Sequence, residues 1–162
     1  MKTKKLAIMG LSVALAMVFS FIESQIPAFV AIPGVKIGLA NIVVVFALYR
    51  LGWKEALLIS GIRVFLIALL FGSAASLFYS AAGAALSFCG MAILKKTDKF
   101  SCTAVSVTGG ILHNVGQIGM ACLILETDII KYYLPFLALS GTLAGIVIGV
   151  AAAIIIRRVP LE

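Results

Sequence analysis

The chain has 162 residues, of which 63% are hydrophobic and only 12% charged, with a formal net charge of +7. Soluble domains run at roughly 45–50% apolar and about 25% charged, so an ordinary soluble enzyme, a disordered chain and a nucleic-acid-binding domain are excluded. The cations sit in short clusters between apolar runs, the pattern of a multi-span membrane protein rather than of a polyanion binder.

Lys2, Lys4 and Lys5 precede the first apolar run, residues 6–22. Glu23-Ser24-Gln25-Ile26-Pro27 follows it, without a small-x-small cleavage site, so the run reads as an uncleaved helix rather than a signal peptide. Ser12, Ala16 and Ser20 place small residues on one of its faces. That face suits either another membrane protein or a neighbouring helix of the same bundle.

Residues 23–36 form an outer loop holding Pro27, Pro33 and Gly34 among apolar residues. It reads either as a lid over the bundle or as an interfacial anchor. The second run, residues 37–49, is roughly 20 Å long if wholly helical, short for a span, and is expected to be shielded by its neighbours. Further runs cover residues 56–71, 74–94, 104–125 and 132–156. The expected fold is therefore all-α: one integral membrane domain over residues 1–162, built as a six-transmembrane-helix bundle.

Ten cations fall on one side of that topology: Lys2, Lys4, Lys5, Arg50, Lys54, Lys95, Lys96, Lys99, Arg157 and Arg158. Lys36 and Lys131 fall on the other. This bias predicts two cytoplasmic termini in a bacterial cytoplasmic membrane.

Arg63 belongs to neither side, lying near the middle of the third run. The fifth run carries His113, Asn114 and Gln117 at its own middle, with 113 and 117 on one face. Asn41 lies one turn into the second. Polar groups at such depth normally face the bundle interior and have partners. Two readings stand. In one, Arg63, His113, Asn114, Gln117 and Asn41 bind a small anionic ligand, with Lys36, and Glu23 from the outer loop, able to reach the mouth, since a guanidinium grips carboxylate or phosphate with a planar fork. In the other, they form a polar clamp between helices. Gly141, Gly145 and Gly149, spaced by four in the sixth run, are read as close packing. Cys89, Cys102 and Cys122 are scattered and read as small apolar residues; no metal site and no cofactor is expected.

Catalysis finds no support. The two aspartates, Asp98 and Asp128, lie far apart in loops, whereas a prenyl-diphosphate synthase needs aspartate-rich clusters for magnesium. No P-loop is present to use ATP. With Glu23 assigned to the loop, no acidic residue is expected inside a span, which argues against a carboxylate relay.

The stretches Ile32-Pro-Gly-Val-Lys-Ile-Gly-Leu-Ala-Asn41, Leu51-Gly-Trp-Lys-Glu-Ala56 and Leu112-His-Asn-Val-Gly-Gln117 resemble the bacterial membrane proteins labelled heptaprenyl diphosphate synthase component I, also called the Gx transporter family. The resemblance spans nearly the whole chain. One label implies a non-catalytic membrane subunit, working with a prenyl synthase subunit in heptaprenyl diphosphate and quinone biosynthesis, and an isoprenoid ligand. The other implies transport. The family is similar in size and plan to the substrate-binding S-components of energy-coupling factor transporters, whose partners are a transmembrane coupling subunit and ATPase subunits. In those, an outer loop covers the pocket and the first helix docks through an Ala-x-x-x-Ala pattern; this chain has Ser12, Ala16 and Ser20 there instead. A scaffold in a quinone- or flavin-linked electron-transfer assembly is a third reading, without a recognisable cofactor motif.

Overall fold

The computed structural model describes residues 2–25 and 38–159. Six α-helices follow one another: α1 (Lys2–Gln25), α2 (Asn41–Arg50), α3 (Trp53–Phe71), α4 (Ala74–Lys96), α5 (Cys102–Leu125) and α6 (Leu134–Arg158). A short 3-10 helix, Ile129–Tyr133, leads into α6, and no strand occurs among the described residues. Each apolar run of the sequence therefore holds one helix.

Local chemistry sets several boundaries. Gly52 enters α3 at φ 117°, a conformation that side chains rarely adopt, and this permits the tight turn after α2. Ser73 and Ser76 cap α4 reciprocally: the Ser76 amide donates to Ser73 Oγ at 3.2 Å and the Ser73 amide to Ser76 Oγ at 2.8 Å. Ser101 accepts the Ala104 amide at the start of α5.

Among the described residues, four segments are long and apolar enough to cross a membrane: Thr3–Glu23, Ala74–Lys96, Cys102–Leu125 and Ile129–Arg158. The remaining two helices fall short of that standard. The ten residues of α2 reach only about 15 Å, half of the ~30 Å hydrocarbon core. The nineteen residues of α3 have the length but carry Lys54, Glu55 and Arg63. As expected of so short an element, α2 is shielded. Val43, Val44, Val45, Ala47 and Leu48 are buried, and the helix packs on α6, α3 and α1.

The glycines of α6 do pack. A Cβ at Gly145 would meet the Val107 Cα at 2.6 Å, and one at Gly149 the Thr103 Cα at 2.6 Å; one at Gly141 would meet the Gly110 carbonyl at 2.8 Å. Steps along α6 match opposite steps along α5, so the two run antiparallel with backbones nearly touching. Gly116 approaches Ala82 and Gly83 of α4 in the same way.

The small-residue stripe of α1 faces inward. Ser12 and Ala16 are buried, and Ser20 borders an internal cavity. Of the two partners considered for that stripe, it meets the bundle itself, and its buried residues do not form an outward docking face.

At one end of the bundle several helix termini are tied together. Lys5 of α1 pairs with Glu55 of α3. Arg50 Nη2 donates to the Val159 carbonyl at 2.7 Å, and the Lys95 ammonium lies 5.7 Å from the Tyr49 ring centre. The hydrogen bond and charge from Lys5 hold the Glu55 carboxyl below its ordinary range.

Candidate functional site

The polar residues of the bundle interior meet around two adjoining cavities. The larger, about 170 Å³, is lined by Ser20 and Glu23 of α1, by Arg63 and the α3 residues Val64, Ile67, Ala68 and Phe71, and by Ser76, Ser80 and His113. The smaller, about 50 Å³, is bordered by Gly38, Asn41, Arg63, His113, Asn114 and the glycine seam at Gly110, Gly141 and Gly145. Glu23, Arg63 and His113 line both.

Common depth brings them together. Arg63 lies ten residues into α3 and Asn41 nine residues above the end of α2, and the two helices join at the Leu51–Gly52 turn. Both therefore stand about 14–15 Å from the tied end. Gly110, Gly141 and Gly145 border the smaller cavity together with Asn114.

Arg63 is partly buried overall, but its Nε is sealed from solvent and has no hydrogen-bond partner among the described residues. A buried donor without a partner carries a desolvation cost of about 1–3 kcal/mol, more when charged. The Glu23 carboxylate lies within electrostatic reach of this guanidinium. Its Oε1 accepts the amide of Gly38, which stands at φ 78° just ahead of α2.

Asn114 is buried and its Nδ2 donates to the Leu137 carbonyl of α6 at 2.6 Å. Part of its capacity thus serves the clamp reading, while the residue also borders the smaller cavity. His113 borders both cavities with its ring close to Gly83 of α4. Gln117 also lies against Gly83, its Cγ 2.8 Å from where a Cβ would stand there, and it borders neither cavity. Residues 113 and 117 do share a face, but that face meets α4. Lys36 lies outside the described residues, as does the candidate lid beyond Gln25.

Glu23 is the main correction. The sequence reading placed it in a loop and left the spans free of acidic groups. Helix α1 instead continues through Gln25, and the apolar segment of α1 includes Glu23. A helix does not stop where its apolar stripe stops, and Glu and Gln are good helix formers. Ser76 and Ser80 were also missed; small hydroxyl residues four apart in an apolar helix were the available signal.

A family model described as heptaprenyl diphosphate synthase component I matches residues 12–155. No curated protein and no solved structure matches the chain. Its two aspartates, Asp98 and Asp128, lie far apart in the sequence. The matched segment reaches into all six helices and includes the lining residues of both cavities, and the chain belongs to the heptaprenyl diphosphate synthase component I family.

Proposed function

We propose that this is a single-domain, integral protein of the bacterial cytoplasmic membrane that captures a small anionic ligand for subunits supplying the energy, in the manner of a transporter S-component. Helices α1, α3, α4, α5 and α6 would cross the bilayer, and α2 would reach about halfway. Both termini would be cytoplasmic. The observation that carries the reading is the unanswered Nε of Arg63 at a cavity shared with His113, Asn114 and Asn41. An anion would satisfy that donor, and the amide and imidazole would orient it. The larger cavity falls below the ~300–1,000 Å³ of drug-sized pockets, which suits a small ligand or the head group of a larger one. Gln117 and Lys36 would act from outside the two cavities as described.

A second reading has its own support in the family description. The chain would then be the non-catalytic membrane partner of a soluble prenyl synthase subunit. The basic end of the bundle would receive that subunit.

Native mass spectrometry of the detergent-purified protein tests for a retained ligand. With that molecule in hand, Arg63→Ala is expected to leave the ligand-free melting temperature nearly unchanged and to abolish the ligand-induced shift. Arg63→Lys should restore it partly, because an ammonium lacks the fork. A large fall in ligand-free stability with affinity preserved would establish the clamp instead. Co-purification with a prenyl synthase subunit, independent of Arg63, would favour the second reading. For orientation, single cysteines at Lys96 and Lys131, in a variant lacking the three native cysteines, should label from opposite sides of the membrane.

A further inference from the structure

The site at Arg63 already holds an anion of the protein's own. Glu23 borders both cavities, accepts the Gly38 amide at the approach to α2 and lies within electrostatic reach of Arg63. The N-terminal end of a helix carries partial positive charge, and α2 presents that end at the smaller cavity through Gly38 and Asn41. The space between α2 and Arg63 is thus electropositive from two directions. Glu23 answers the amide, while the guanidinium Nε, sealed from solvent, has no hydrogen-bond partner among the described residues. The Nε edge of a guanidinium binds a carboxylate or phosphate through two parallel N–H···O bonds. An anion arriving there comes to lie beside the Glu23 carboxylate, where two like charges repel strongly in a poorly hydrated interior.

Building on the reading of Arg63 as anion anchor, we propose that Glu23 is a resident counter-ion which an incoming anionic group must displace, making Glu23 the residue that sets which ligands bind. A strongly anionic head outcompetes the carboxylate for Arg63. A neutral ligand does not, because it leaves the Glu23–Arg63 attraction in place.

The test uses the full chain in detergent and inorganic phosphate as the probe, read by thermal melting against chloride at matched ionic strength. Glu23→Gln keeps an oxygen for the Gly38 amide and removes the charge. It should bind phosphate at least about tenfold more tightly than the native chain, since the competing charge is gone. The gain should vanish in the Glu23→Gln/Arg63→Ala double variant. Equal binding would overturn the proposal and leave Glu23 as a tie to α2. Weaker binding would overturn it too, by making Glu23 a direct ligand contact. If Glu23→Gln does not fold, Glu23→Asp, with its charge drawn back by one methylene, should show a smaller gain, and no gain overturns the proposal. Absence of phosphate binding in every variant also overturns it. Failure of the anion-anchor reading is separately visible, as binding of the mass-spectrometric ligand that Arg63→Ala leaves intact.

Discussion

The two halves of this bundle are built on opposite principles. In α4–α6, glycines let backbones approach to contact, and the helices form the most extensive pairings of the molecule. In α1–α3, pairings are sparser, one helix is half-length, and the interface holds an arginine and a glutamate beside open space. Helices in lipid gain little from the hydrophobic effect, so they associate by close packing and by polar contacts. One half uses the first means and supplies a rigid wall. The other gives up packing for a polar cavity. The difference implies that substitutions in the first half should cost stability, and those in the second should chiefly change binding.

The largest effect is expected at the glycine seam. Gly145→Leu would press a side chain into the Val107 backbone, an atom that cannot swing aside. The cost should be about 1–3 kcal/mol or more, read as a lowered melting temperature in detergent. Gly119→Ala is the matched control on the same pair of helices. A Cβ there meets nothing within 4 Å, so the variant should be neutral or gain up to about 1 kcal/mol of helix propensity. Equal losses from both would mean that close packing does not distinguish this half.

Asn114 joins the two principles, since it borders the cavity and also bonds α6. Asn114→Ala removes the bond to the Leu137 carbonyl, which still accepts the Ser140 hydroxyl at 3.0 Å. The loss should therefore be modest, about 0.6–1.7 kcal/mol, in the range of interhelical bonds in membranes. If Asn114 also holds ligand, affinity falls with it; affinity unchanged in Asn114→Ala would leave the residue a clamp alone.

The same contrast explains what could be read from the sequence. Apolar runs bounded by lysines, arginines and glycines located all six helices, because the bilayer demands length and hydropathy. Gly141, Gly145 and Gly149 announced close packing, because small residues at four-residue spacing have few other uses. The cavity was harder. Arg63, Asn41, His113 and Asn114 were legible, as polar groups at similar depth in apolar surroundings, and all four border the smaller cavity. Gln117 stands apart from the two cavities, because a shared helix face does not say which neighbour it meets. Here the face of His113 and Gln117 turns to Gly83. Glu23 was assigned to a loop and not to α1, because the end of an apolar stripe was taken as the end of a helix.

The smallest effect lies at the tied end, where charge works in contact with solvent. Lys5 and Glu55 join α1 to α3 there, and Lys5 lowers the Glu55 pKa chiefly through their hydrogen bond. A carboxyl with a depressed folded-state pKa adds stability above its unfolded pKa, about 4.3, and loses it as pH falls through the lower folded value. Glu55→Gln should thus lower the melting temperature slightly at pH 6–8, by an amount equivalent to under about 1 kcal/mol, since exposed pairs are weak and screened. The difference between variant and native chain should shrink with added salt and close only as the pH falls through the depressed folded-state value, below the ordinary carboxyl range. A difference that survived both acid and salt would assign the α1–α3 contact to packing, and the contrast between a packed half and a polar half would narrow.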